Sequence, residues 1–380
     1  MCFVLGFFVI SLCILPWNVF YIPIFFMPAI WLGFKKRFNA IFFIFGYFSG
    51  ALWEIIPGLY TYFYGSWSAV KIVLIFLFST LLLCLPWWIL WPTHCCKPIT
   101  MLVLLFLIML ITLFPPLGII YVAQPLMASG VFFPGLKLYG LLLGALVIFV
   151  SAYWVRYRSQ KSFVILSCLL LFSVIVNALY KVPVIPSNWH HYNDYSLSFF
   201  GDHENYIISE VQKIKKQNQF FIFPENYLIK SERSQLKLAA LQRIAEKYQS
   251  VIVVGVYIDG QKEQNQGVAI ISKKGVNFLQ TRQPVPVLSW RPGNAKSMSY
   301  DWRAPSVVLI DGRFIWIVVC FENFVSWQAI LVSATHSNLN ALISLGNLWW
   351  APMSLHLKEK HAGETWARLL HVPFLQSVKK

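Results

Sequence analysis

Two regimes of hydrophobic patterning divide the chain near residue 180. Before it, long apolar runs recur at 3–16, 18–34, 39–57, 69–91, 99–115, 138–155 and 162–180, with short breaks between them. A helix crossing about 30 Å of hydrocarbon needs roughly 20 apolar residues. The runs therefore predict a polytopic helical membrane domain of about seven spans over residues 1–180. The first run is short enough to be a signal-peptide core. It lacks a basic n-region and a small-residue cleavage site, and is read as a retained span. The stretch from Phe114-Pro115-Pro116-Leu117-Gly118 through Phe133-Pro134-Gly135 is apolar but interrupted by Pro and Gly. It predicts a re-entrant or interfacial loop packed on the bilayer surface.

Beyond residue 180 the period changes. Residues 202–217 predict a helix with Ile207, Ile208, Val211 and Ile214 on one stripe, and 231–249 a second, with Ser231 as its candidate cap. Short β-branched or aromatic runs at 220–223, 251–257, 268–272, 276–281, 307–310 and 314–319 predict strands. Lys273-Lys274-Gly275 and Asp311-Gly312 read as hairpin turns between neighbouring strands. Strands alternating with helices and hairpins predict an α/β or α+β sandwich over residues 181–380.

Composition sharpens this division. Hydrophobic residues make up 58% of the chain and charged residues 12%, against about 25% charged in a soluble domain. Glu54 is the only acidic residue before Tyr180, and it is read as a carboxylate at a membrane interface rather than a functional site. Lys35, Lys36, Arg37, Lys97, Arg156, Arg158 and Lys161 fall in alternate loops, which places the N-terminus in the cytoplasm and residues 181–380 on the far side. Much of the +16 net charge is this loop charge, so direct nucleic-acid binding is not expected. The cluster Lys213, Lys215 and Lys216 reads as a solvated helix face. His190-His191 with Asp194 lacks a complete ligand set, and no metal site is expected. His94-Cys95-Cys96 reads as an ordinary loop.

Candidate chemistry sits at two strand ends. Phe220-Phe221-Ile222-Phe223-Pro224 runs apolar and stops at Glu225, and Phe314 to Val319 stops at Cys320. Ligands of α/β sheets meet the chain beyond the carboxyl ends of strands. A helix starting near Asn323 would lower the thiol pKa through its dipole, and a nearby carboxylate can take the thiol proton. A lone cysteine after a strand is more often a buried structural thiol.

Taken together, the blocks resemble the nitrilase, or carbon–nitrogen hydrolase, superfamily, whose members carry a Glu, a Lys and a Cys at strand ends. Phe223-Pro224-Glu225 resembles the Glu signature, and Val319-Cys320-Phe321-Glu322 the nucleophile signature. Between them, Val268-Ala269-Ile270-Ile271-Ser272-Lys273-Lys274-Gly275 resembles the hairpin before the lysine. Downstream, Ser344-Leu345-Gly346-Asn347-Leu348-Trp349-Trp350 resembles the Asn/Asp-and-Trp segment. The resemblance implies an αββα sandwich over 181–380, with either a trimmed C-terminus or a truncated sequence beyond the segment resembling Trp366-Ala367-Arg368-Leu369-Leu370. It implies Cys320 as a nucleophile forming a thioester and Glu225 as its general base, with no cofactor. The lysine position falls within 281–286, where Arg282 stands. Arginine keeps the positive charge that would stabilise an oxyanion but cannot give up a proton. Lys296 is an alternative source of that charge.

A membrane half before such a domain narrows the implied function to two groups. One moves a fatty acyl chain from phospholipid to the N-terminal amine of a lipoprotein. The other serves plasmid conjugal transfer, and the Pro/Gly-rich stretch at 114–135 resembles this group. Its implied activity is thiol-dependent acyl transfer or amide hydrolysis, with an inactive membrane scaffold of the conjugation apparatus as the competing reading. The implied partners are membrane lipid and a lipoprotein or conjugation-apparatus proteins. The implied location is the bacterial inner membrane, with the soluble half in the periplasm.

Overall fold

The computed structural model describes residues 2–11, 17–92, 96–193, 203–214, 216–230, 235–259, 264–291, 297–304 and 306–379. By contact the chain forms two units that interleave in sequence. The first comprises Met1–Val182, Phe324–Ser337 and Ala351–Val372, the second Pro183–Asn323, Asn338–Trp350 and Pro373–Lys380.

The first unit is helical. Its N-terminal part contains α1 (Cys2–Ser11), α2 (Trp17–Gly33), α3 (Arg37–Leu52), α4 (Ile55–Tyr62), α5 (Ala69–Ile89), α6 (Pro98–Leu113), α7 (Ser129–Phe132), α8 (Lys137–Tyr157) and α9 (Gln160–Leu179). Where described, each predicted apolar run is helical over most of its length, but among the described residues four helices are long and apolar enough to cross a membrane. They are Arg37–Tyr62, which joins α3 to α4, and Ala69–Ile89, Lys137–Tyr157 and Gln160–Leu179. Tyr21–Gly33 and Pro98–Leu113 are shorter apolar helices. Ser68 and Ser159 cap α5 and α9, their hydroxyls accepting the N–H of Lys71 and Ser162. The Pro/Gly-rich stretch is irregular as expected, made of two 3₁₀ turns and α7. It is not a surface loop, however. Leu117, Ile119, Tyr121, Gln124, Met127 and Ser129 are all buried.

The second unit carries two sheets. The first sheet runs β1 (Trp189–His191), β2 (Phe220–Lys230), β3 (Val251–Asp259), β4 (Gln264–Ser272) and β5 (Gly275–Gln280), in that order. Its first three strands are parallel and its last three antiparallel. Helices α10 (His203–Ile214) and α11 (Gln235–Lys247) cover it, with Ile207, Val211, Leu241 and Ala245 packing among Phe221, Phe223, Ile252, Val254 and Ile271. The second sheet runs β6 (Val307–Ile310), β7 (Arg313–Val319), β8 (Leu339–Asn347) and β9 (Phe374–Lys379). Asp311 and Gly312, at φ 47° and 76°, form the predicted β6–β7 hairpin turn. The sheets meet where Ser377 of β9 donates to the carbonyls of Tyr192 and Ile222 at 2.5 and 3.2 Å.

The first unit is completed by α12 (Ser326–Thr335) and α13 (Met353–Leu370), and α13 overturns the expectation for Glu54. Rather than facing an interface, Glu54 is 1% exposed. The Lys358 ammonium lies 2.7 and 2.8 Å from its two oxygens. The same ammonium donates to the carbonyls of Gly50 and Ala51 at 3.3 and 3.4 Å. The cause is local. Because α3 stops at Leu52, its last carbonyls lack intrahelical donors, and a cation is favoured at that end. Farther along α13, Thr365 hydrogen-bonds the Tyr21 hydroxyl of α2. The Arg368 backbone carbonyl accepts the Gly135 N–H at 2.9 Å, and its guanidinium donates to the Asn177 side-chain oxygen of α9 at 2.5 Å.

Candidate active site

Glu225 lies inside β2 rather than beyond its end. The β2–β3 pairing runs through Phe223↔Val254, breaks, and resumes at Leu228↔Val256. Pro224 carries no N–H for the ladder, and Asn226 takes a left-handed φ of 55°. The carboxylate is thus carried on a bulge that re-aims it. Gly255 of β3 makes the bulge possible, since a Cβ there would stand 2.3 Å from the Glu225 Cα and 2.7 Å from the Pro224 carbonyl oxygen.

Cys320 follows β7, buried at 4% exposure, with φ 47°. A left-handed non-glycine residue costs of order 1–3 kcal/mol unless its surroundings enforce it. Two neighbours do so. Glu322 reaches back to accept the Val319 N–H at 3.0 Å, on one side of the thiol residue. Asn323 donates to the Cys320 carbonyl at 2.9 Å and to the Ser344 hydroxyl of β8 at 2.8 Å, on the other. The helix expected near Asn323 begins at Ser326, after a 3₁₀ segment spanning Cys320–Phe324. The α-helix thus starts three residues later than the sequence pattern suggested, and the thiol residue itself opens the 3₁₀ segment.

The carboxylate and the thiol meet. Glu225 hydrogen-bonds the Cys320 thiol and the backbone N–H of Asn347, at the end of β8. Its carboxyl is raised to about 8, chiefly by burial and also by the nearby Glu322 carboxylate, against the two hydrogen bonds that pull it down. Among the described residues, Glu225 Oε2 has no hydrogen-bond partner. The arrangement can move a proton between a carboxyl and a sulfur in a place shielded from water.

Arg282 belongs to the same cluster. Its side chain is 3% exposed, and Nη2 lies 2.5 Å from Glu322 Oε2 and 2.8 Å from the Ile317 carbonyl oxygen. The backbone N–H groups of Arg282 and Gln283 also donate to Glu322 Oε1, at 2.6 and 3.1 Å. Lys296 lies outside the described residues, as do Asp194, His94, Cys95, Lys215 and Ser231. His190 Nε2 pairs with Gln219 at 2.8 Å. Lys213 pairs with Glu210 on an exposed helix face. Sequence reasoning missed Gly255, Asn323 and Ser344. Asn323 carried a local signal, as an Asn three residues past the thiol with a side chain able to bond the local backbone, and Ser344 opens the segment matched to the Asn/Asp-and-Trp block.

No protein-family profile matches the chain. It is 26% identical over 274 residues to conjugal transfer protein TraB of Agrobacterium fabrum, a match covering 68% of this chain and 62% of that protein. It is 23% identical over 279 residues to a probable conjugal transfer protein TraB of Sinorhizobium fredii, covering 69% of each. Among solved structures, a carbon–nitrogen hydrolase superfamily protein of Xanthomonas campestris aligns over 50% of this chain and 74% of its own, with TM-score 0.38 and 12% identity. A carbon–nitrogen hydrolase of Helicobacter pylori aligns over 50% and 72%, with TM-score 0.36 and 12% identity. The chain is thus similar in sequence to conjugal transfer protein TraB, and the solved structures it resembles are carbon–nitrogen hydrolases.

Proposed function

We propose that the chain is a membrane-anchored thiol enzyme of plasmid conjugal transfer that transfers an acyl group, or hydrolyses an amide, through a Cys320 thioester. The observation that carries this reading is the hydrogen bond between buried Glu225 and the Cys320 thiol. In the ionised state Glu225 takes the S–H proton, and the thiolate attacks the carbonyl carbon of an ester or amide. The tetrahedral intermediate collapses as the leaving group receives that proton from Glu225, leaving a thioester. Glu225 then takes a proton from an incoming amine or water, which attacks the thioester, and the departing sulfur is reprotonated. Arg282 holds the thiol turn through Glu322. Because burial keeps Glu225 protonated below about 8, thiol reactivity rises as pH climbs toward that value.

The resemblance stated above supports a membrane lipid as acyl donor and a lipoprotein or conjugation-apparatus protein as acceptor. The alternation of basic loops supports an inner-membrane location with the second unit in the periplasm. The test is labelling of Cys320 by an acyl-ester thiol probe, together with plasmid transfer in the host. Labelling is expected to vanish in Cys320→Ser and to fall about tenfold at pH 8 in Glu225→Gln, a loss equal to one proton-affinity unit. Plasmid transfer is expected to fall with both. Equal labelling in wild type and Glu225→Gln, with transfer unaffected by Cys320→Ser, would replace the enzyme with a scaffold.

A further inference from the structure

We infer that Arg282 is a positioning residue: through Glu322 it fixes the turn that carries Cys320, instead of reaching the reacting carbonyl itself. The inference rests on the reading of Cys320 and Glu225 given above, and concerns how the thiol is held.

The geometry assigns this role from both ends of the pair. Both Glu322 oxygens are occupied, and their donors come from two segments. Arg282 and Gln283 donate from the stretch after β5, and Val319 donates from the last residue of β7. The guanidinium bridges the same two segments, since Nη2 serves both Glu322 and the Ile317 carbonyl. Residues 282–283 are thereby tied to the strand end that presents the sulfur. On the opposite side, Asn323 ties the Cys320 carbonyl to Ser344 of β8. Cys320, held at φ 47°, lies between these clamps. A planar, forked cation suits a carboxylate and a carbonyl together. A lysine offers a compact charge on a flexible stem, and its swap for arginine is not conservative at such a site.

Electrostatics follow from the same contacts. The groups acting on Glu225 are the Cys320 thiol and the Glu322 carboxylate from the thiol turn, and the Asn347 N–H from β8. Arg282 offsets the Glu322 charge. Weakening that pairing exposes the charge to Glu225 and holds its proton more tightly, whereas neutralising Glu322 releases the proton. The two substitutions therefore move the same readout in opposite directions, which a purely structural role does not require.

The experiment follows iodoacetamide alkylation of Cys320 against pH in the detergent-solubilised full chain, read by peptide mass spectrometry, with thermal melting alongside. Arg282→Met strands a buried carboxylate and is prone to unfold. Arg282→Lys and Glu322→Gln each retain a polar partner and are the informative variants. Arg282→Lys is expected to slow alkylation about threefold at pH 7.5, as for a half-unit rise in midpoint, and Glu322→Gln to speed it by a similar factor. The double variant is expected to be non-additive. An unmoved alkylation profile in Arg282→Lys with reduced turnover of an acyl-ester substrate makes Arg282 catalytic and overturns the inference. Variants that melt earlier but titrate as wild type show a structural pair only and also overturn it. A wild-type profile indifferent to Glu225→Gln defeats the underlying carboxylate–thiol reading instead, whatever Arg282 does.

Discussion

Glu54 in the helical unit and Glu225 in the α/β unit are equally hidden, at 1% and 3% exposure, yet their surroundings differ in kind. Glu54 meets a lysine ammonium on both oxygens. Glu225 meets a thiol, a peptide N–H and a second carboxylate. A buried acid given a full counter-charge holds two elements together. One given only partial compensation holds a proton that can leave. Burial alone does not separate structural acids from reactive ones, but the sign of the nearest charge does.

The largest test of this contrast removes the counter-charge from the first acid. Lys358→Met leaves Glu54 buried and uncompensated, and is expected to cost about 3–5 kcal/mol in denaturant unfolding of the solubilised chain. Replacing both partners, as Glu54→Leu with Lys358→Met, is expected to recover most of that loss, because a matched apolar pair carries no desolvation penalty. Wild-type stability in the single variant would erase the distinction between the two acids. A smaller effect is expected from Gly255→Ala, where the added methyl group must displace the Glu225 bulge. Overpacking of this kind costs about 1–3 kcal/mol, and Cys320 labelling is expected to fall with it. Labelling at the wild-type rate would show that the bulge does not set the carboxylate.

The smallest effect sharpens the second acid. With its folded value raised to about 8 from an ordinary 4.5, Glu225 favours the folded state most at pH below its ordinary range. That contribution is lost as pH rises through the folded value. Between pH 7 and 8 the wild type is expected to lose about 1 kcal/mol relative to Glu225→Gln. Parallel stability curves for the two proteins would show that Glu225 titrates as an exposed acid does.

What the sequence made legible follows period and continuity. The Phe314–Val319 run announces β7 and the thiol after it because the strand is almost wholly buried and therefore reads as unbroken apolar sequence. Asp311-Gly312 announces its hairpin because few other residue pairs accept two positive φ angles. Glu225 was legible as a candidate but misplaced. Pro224-Glu225-Asn226 looks like the end of a strand, and only the resumed pairing at Leu228 reveals a bulge. The partner of Glu54 was not legible, since Lys358 lies 304 residues away and its own helix is amphipathic enough to pass for part of the α/β half. Helix starts were displaced where a 3₁₀ segment intervened, as between Cys320 and Ser326. Among the long runs, Pro23 and Pro28 fall inside α2, and no period count weighs what such residues do to a span.

The seat of Lys358 also sets an order of events during synthesis. Glu54 leaves the ribosome 304 residues before the lysine that neutralises it. At about 5–20 residues per second, that interval is roughly 15–60 s. Throughout it the acid between α3 and α4 lacks the ammonium it meets in the folded chain, and an isolated carboxylate is costly to bury in an apolar bundle. The apolar core around Glu54 is therefore complete only once α13 has supplied its ammonium.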